Sequence, residues 1–291
     1  MTPNPSISFF ESFLAPIFQH FLIDQKALQQ LYQSLDWAAE SERLRCPNLR
    51  YPDYYSTQNF HGVKGGYLSV DAAVTYDPVT QYVLPPNETL VRQGLIDQIE
   101  SKPRRILDLG CGTGSTTVLL KQTFPQAEVI GLDLSPYMLV MAEHKALKAH
   151  LVIEFVHGNA EHTMFPDASF DLVTASLLFH ETPPEVTRAI LRESYRLLTV
   201  GGEILVLDGN QQTLRNLPWL TEIFEEPYIR AYAASSLEAG LGWAGFGTVQ
   251  TQDLWWVHQV TRGVKPLPGQ KVDLTLNANL DIAGNGQWVM G

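Results

Sequence analysis

With 291 residues, 45% of them hydrophobic and 10% aromatic, the chain can bury a full core as one large domain or as one domain with an extension, which excludes a disordered protein. Its formal charge of −11 argues against a nucleic-acid groove, because phosphate binding draws on clustered Lys and Arg. Two cysteines, Cys46 and Cys111, make no disulfide framework and fit a reducing compartment, the cytoplasm.

Taken from the start, Phe10, Phe13, Leu14, Ile17, Phe18, Phe21 and Leu22 fall near helical spacing, in a greasy stripe that Pro16 kinks or splits. The stripe lacks the Lys and Arg of an interfacial helix, so it reads as a helix packed on the body of the protein. No stretch approaches the roughly 18 apolar residues of a transmembrane segment, and no basic n-region precedes the stripe as in a secretory signal. A second helical pattern runs from Ala27 to Arg45 before Pro47 and Pro52 break it. The next stretch, YPDYYSTQNFHGVKGGYLSVDAAVTYDP, is rich in Tyr, Gly and turn formers and reads as an irregular segment of a size that usually has a function. Glu88 to Ile99 then forms a helix leading to a glycine turn.

Beyond Pro103 short β-branched runs alternate with helical patterns, the rhythm of a βαβ parallel sheet. Strands are expected at Arg105 to Leu109, Glu128 to Asp133, Leu151 to Val156, Phe170 to Ser176 and Glu203 to Leu207. Helices fill the gaps at Ser115 to Thr123, Tyr137 to Ala149 and Pro184 to Leu198, the last ended by an αL glycine in VGG (Val200 to Gly202). A further helix covers Leu217 to Ala233. AGFGTVQTQDLWWVHQVTRGVKP reads as a turn and a strand pair closing the sheet, with Trp255 and Trp256 on opposite faces and one of them in the core. The segment from about Pro266 is polar and poor in charge, with no signal for its order.

The turn ILDLGCGTG carries the chemistry. Glycines after a first parallel strand let backbone approach a ligand that a Cβ would exclude, and the following helix N-terminus offers free N–H groups. Gly110, Gly112 and Gly114 alternate, whereas a dinucleotide site would need a third glycine where Ser115 stands, so an NAD-dependent dehydrogenase does not fit. Asp108, just before the first glycine, would repel a pyrophosphate and welcome a cation. Asp133, about twenty residues past the turn, ends the second strand where a carboxylate accepts both ribose hydroxyls. Asn159 can bond the amino edge of an adenine, and the Ala160 backbone can meet its ring. A ribose, an adenine and a cation with no phosphate between them describe S-adenosylmethionine.

In order, ILDLGCGTG, VIGLDLS, GNAEHTMFPDASFDLV and LLTVGGEILVLDG resemble the motifs of class I S-adenosylmethionine-dependent methyltransferases. The resemblance covers about 105 to 209, with a looser fit to about 264. It implies a Rossmann-like α/β fold with a seven-stranded, mostly parallel sheet. Residues 1–100 would then form a helical and irregular cap or lid, 101–264 the cofactor-binding domain and 265–291 a tail. It also implies that Asp108, Gly110 and Gly112 border the methionine part, with Cys111 and Gly114 in the same turn. Asp133 would hold the ribose, and Asn159 and Ala160 the adenine, with Leu134, Ser176 and Tyr67 also at the cofactor.

A sulfonium is a good leaving group, so such a protein mainly aligns an acceptor behind the methyl, worth about 7–11 kcal/mol, and needs a base only if the acceptor arrives protonated. The best base candidate is His180, past the fourth strand, with Glu181 beside it to orient it; the alternative is a histidine that caps its loop. His61 reaches over the site as part of the lid or stays a loop residue. Tyr54, Tyr55, Tyr67 and Tyr76 can face the sulfonium or fill the core. No metal site is expected, because His, Cys and carboxylates fall into no compact spacing along the chain, and His157 and His162 read as loop residues. The expected partner is a small, apolar or aromatic acceptor and no nucleic acid; nothing in the sequence speaks to oligomeric state. Two rivals stay open: a protein methyltransferase, and a cofactor-binding partner without catalysis.

Overall fold

A computed structural model describes residues 24–61, 63, 65–83, 86–223 and 226–267, so the apolar stripe of residues 10–22 and all but the start of the 265–291 tail lie outside it. Two helices, α1 (Gln25–Ser34) and α2 (Trp37–Leu44), replace the single one expected from Ala27 to Arg45. The break falls at the extended Leu35, because the Asp36 carboxylate caps a new helix by accepting the Ala39 N–H. The Tyr- and Gly-rich stretch is also more regular than expected. It holds α3 (Asp53–Ser56) and the start of α4 (Val70–Val83), with Pro78 inside the helix. An interior proline costs about 3 kcal/mol. Burial of Ala72, Ala73 and Val74 with Trp37, Tyr55, Phe60 and Tyr67 offsets that cost, and this cap core rests on Met138, Val140 and Met141.

Next come α5 (Glu88–Ile96), β1 (Arg105–Leu109), α6 (Ser115–Thr123), β2 (Glu128–Asp133), α7 (Pro136–Lys148), β3 (Glu154–His157) and β4 (Phe170–Ser176). They are followed by α8 (Pro184–Leu197), β5 (Leu198–Gly209), α9 (Gln211–Asn216), α10 (Pro218–Ile223), α11 (Ile229–Ala234), α12 (Leu237–Ala244), β6 (Gly247–Leu254) and β7 (His258–Val264). The seven strands lie in the order β3-β2-β1-β4-β5-β7-β6, parallel from β1 to β5, with β7 antiparallel to both of its neighbours. The expected α/β fold with a mostly parallel seven-stranded sheet is thus the observed one.

Period-two alternation assigns the faces. Ile106, Leu205 and Leu207 pack on one side with Val91, Leu95 and Ile96 of α5, while Leu107, Leu109, Ile204 and Val206 pack on the other with α8 residues Ile190 and Leu191. Helix α5 therefore belongs to the layers of the sheet, although its sequence position falls in the segment read as cap.

Four local expectations are corrected. VGG does not cap a helix: α8 ends at Leu197, and Gly201 takes its positive φ within the long β5. Trp255 and Trp256 form the hairpin turn between β6 and β7 and are 51% and 62% exposed, because the strand stops one residue earlier, at Leu254. The helix expected from Leu217 to Ala233 is two short ones. His157 ends β3, buried and ligated by backbone, where a loop residue was expected.

Candidate active site

The C-terminal ends of the parallel strands open into a cavity, at the place where open α/β sheets bind ligands. All three turn glycines have positive φ, of 62, 54 and 78°. Their reasons differ. A Cβ at Gly114 would stand 2.9 Å from Cβ of Ala142, so this glycine admits α7. At Gly112 a Cβ would meet nothing within 4 Å, and this residue lines the cavity. The middle glycine is the one that leaves room for a ligand.

Gly112 also donates its N–H to Asp133 Oδ2 at 2.8 Å, and Ser135 donates its N–H to Oδ1 at 2.8 Å. Burial pushes the Asp133 carboxyl up to about 6, against the pull of these two N–H groups. Of the proposed cofactor residues, Tyr67, Gly110, Cys111, Gly112, Asp133, Leu134, Asn159, Ala160 and Ser176 line the cavity, and Gly114 and Asp108 do not. Asp108 is 1% exposed, and accepts hydroxyls from Thr174 at 2.8 Å and Thr117 at 2.6 Å. It ties β1 to β4 and α6 and does not line the cavity. Burial raises its pKa, and the two hydroxyls hold it down. The Asn159 amide is engaged with Glu161, accepting its N–H at 2.8 Å and donating to Oε1 at 3.2 Å.

Across the cavity, the three residues proposed for catalysis meet. Glu181 Oε1 accepts the Tyr67 hydroxyl at 2.6 Å and lies 3.4 Å from His61 Nε2 and 3.9 Å from His180 Nε2. Glu181 lines the cavity, whereas the two imidazoles are not among its lining residues. Behind each imidazole is a carboxylate. His180 Nδ1 is 2.6 Å from Asp208 Oδ1, whose Oδ2 also accepts the Phe179 N–H; His61 Nδ1 is 2.7 Å from Glu226 Oε1, which also accepts the His61 N–H. Burial alone would depress the His180 pKa, but Asp208 lifts it to about 9. His61 is raised likewise, Glu226 outweighing its loss of water. The absence of metal-ligand spacing in the sequence does not carry into space, since residues 61, 180 and 181 bring two imidazoles and a carboxylate together.

Tyr54, Tyr55, Phe60 and Tyr76 line the remaining wall. Three residues of the site escaped sequence reasoning. Arg92, 5% exposed, lines the cavity while held by Glu88 at 2.8 Å and by its own donation to the Thr116 hydroxyl. Its signal was an acid–base pair four residues apart in the helix ahead of the turn. Asp208 ends β5 beside β4, whose loop bears His180, so strand adjacency would have found it. Glu226 had no local signal. The cap is pinned from another side by His157, whose Nδ1 accepts the Cys46 N–H at 2.8 Å, while Nε2 is 2.9 Å from the Leu134 carbonyl.

Comparison with known proteins agrees with this geometry. The family model described as a methyltransferase domain matches residues 106–202. Demethylmenaquinone methyltransferase of Deinococcus radiodurans is 38% identical over 117 residues, covering 40% of this chain and 48% of the relative. That of Thermus thermophilus is 41% identical over 110 residues, covering 38% and 49%. The chain thus spans about half the length of the curated relatives it matches. Among solved structures, the S-adenosylmethionine-dependent methyltransferase SibL superposes with a TM-score of 0.52 at 23% identity, covering 64% of this chain and 61% of that one. Human N-acetylserotonin methyltransferase, in complex with S-adenosylmethionine, gives 0.52 at 20% identity, covering 69% and 58%. Residues 106–202 thus match a methyltransferase domain, and the fold is that of the S-adenosylmethionine-dependent methyltransferases on which the chain superposes.

Proposed function

We propose that this chain transfers the methyl group of S-adenosylmethionine to a small apolar or aromatic acceptor by in-line displacement. One observation carries the reading: a single cavity is lined by Gly112 and Asp133 on one side and by Glu181 on the other. Asp133 accepts the ribose hydroxyls, Leu134, Asn159 and Ala160 border the adenine, and Gly110 to Gly112 border the methionine part. Arg92 is the buried cation for its carboxylate. The sulfonium supplies the leaving group, and the protein supplies alignment.

For an acceptor that arrives as a hydroxyl, the proton passes to Glu181, the member of the catalytic cluster that reaches the cavity. His180 and His61, each held at Nδ1 by Asp208 and Glu226, position that carboxylate and are not among the residues that line the cavity. The aromatic wall of Tyr54, Tyr55, Phe60 and Tyr76 suits a flat apolar molecule. It comes from residues outside the matched 106–202, so the quinone named for the relatives is one candidate in a panel. Enclosure beneath the cap favours a small molecule over a protein side chain. No helix among the described residues is long and apolar enough to cross a membrane.

The test is incubation with labelled S-adenosylmethionine and a panel of phenols, quinols and host metabolite extract, reading S-adenosylhomocysteine and the methylated product. Stoichiometric release of both is expected. Tight cofactor binding with no release in any extract would leave a non-catalytic cofactor-binding partner instead, and methylation of proteins alone would shift the acceptor class.

A further inference from the structure

We propose that His61, His180 and Glu181 form a binding site for a divalent transition-metal cation at the edge of the cavity. One donor atom from each lies within 4.8 Å of the other two. Glu181 Oε1 stands 3.4 Å from His61 Nε2 and 3.9 Å from His180 Nε2. A tetrahedral ion with bonds of about 2.0–2.1 Å spaces its ligand atoms about 3.3 Å apart, so closure needs sub-ångström adjustment of three side chains.

The surroundings supply the independent observation. Metal-binding histidines almost always give their second ring nitrogen to a carboxylate or carbonyl, which fixes the ring with the other nitrogen facing the ion. Both histidines here are held that way, His61 Nδ1 by Glu226 at 2.7 Å and His180 Nδ1 by Asp208 at 2.6 Å. The side chains of Glu226 and Asp208 are fully buried, and Glu226 Oε2 has no hydrogen-bond partner among the described residues. Three carboxylates around two imidazoles leave an excess of negative charge that a cation offsets. Two imidazole nitrogens and one oxygen favour zinc, cobalt or ferrous iron over magnesium or calcium, which take all-oxygen sets. Three protein ligands leave positions open toward the cavity that Glu181 lines. Cation binding stands without methyl transfer; the further role of holding an acceptor's oxygen and lowering its pKa rests on the reading above.

The test uses the full chain, freed of metal and without cofactor, titrated with Co²⁺ by visible absorption and with Zn²⁺ by calorimetry. One equivalent of each is expected, with ligand-field bands for Co²⁺. Glu226→Gln should weaken uptake about 10–100-fold, and the ligand variants Glu181→Gln and His61→Asn by more than that. Asn suits the left-handed backbone at His61, φ 49°, and Gln keeps the shape of Glu, so the variants retain the fold, checked by circular dichroism. No saturable uptake, or uptake unchanged in Glu181→Gln and His61→Asn, overturns the site. Uptake without methyl transfer leaves the site standing and defeats the functional reading; methyl transfer by a chain that takes up no metal does the reverse.

Discussion

The two walls of the cavity are built by opposite means. On one side, Gly110 to Gly112, Asp133, Leu134, Asn159 and Ala160 are placed at the ends of strands in one sheet, and the turn contributes backbone as much as side chains. Opposite, the Tyr67, His61, Glu181, Asp208 and Glu226 cluster joins four separate stretches of chain, held by side chain to side chain bonds. Side chains in a polar network are coupled, so a change at one of them is felt by the others.

That contrast can be broken at Asp133. Asp133→Ala should raise the cofactor Kd about 10²–10⁴-fold, the loss of two hydrogen bonds to a charged group at about 1.5–3 kcal/mol each. Unchanged affinity by calorimetry would move the ribose elsewhere. On the other wall, Glu181→Gln should lower kcat about 10²–10³-fold while cofactor affinity stays nearly constant. Equal damage to both quantities would mean that the walls are not independent.

A pH titration sharpens the same distinction. Burial pushes the Asp133 carboxyl up to about 6, so if it holds the ribose as proposed, by accepting two hydroxyls when ionised, cofactor affinity should fall by at most about tenfold per pH unit below that value. A flat profile between pH 7 and pH 5 would count against the assignment. For the unliganded fold the sign reverses: a raised carboxyl pKa adds stability at low pH that is lost as pH rises through about 6.

The smallest effect belongs to His157, which joins cap to sheet. Burial lowers its pKa, so the fold prefers the neutral ring, and stability present above the ordinary value near 6.5 should decline as pH falls through the folded one. His157→Phe should cost about 1–2 kcal/mol in denaturant unfolding and remove that dependence. An undiminished acid response in the variant would assign it to other groups.

The donor wall was legible because its signals are local: glycines that alternate, an acid at a strand end, runs such as Leu107 to Leu109 and Ile130 to Leu132 buried in a covered sheet. Glu181 and His180 were found by the same strand-end logic. What carried His180 further, its partner Asp208, depends on β4 lying beside β5, a property of strand order and not of spacing. Glu226 meets His61 from 165 residues away, and no period records such a meeting. Asp108 misled because an acid before a glycine turn looks the same whether its neighbours are ligand or threonine. The Ala27 to Arg45 pattern misled because the apolar stripe runs on past a capping aspartate.

Tyr67 touches both walls along its own length. Its carbonyl accepts the Ser135 hydroxyl at 2.7 Å, the group that also caps α7, while its phenol reaches Glu181. Any excursion of this segment away from the sheet severs both links together. A change at Tyr67 is therefore felt at the α7 cap and at Glu181 alike.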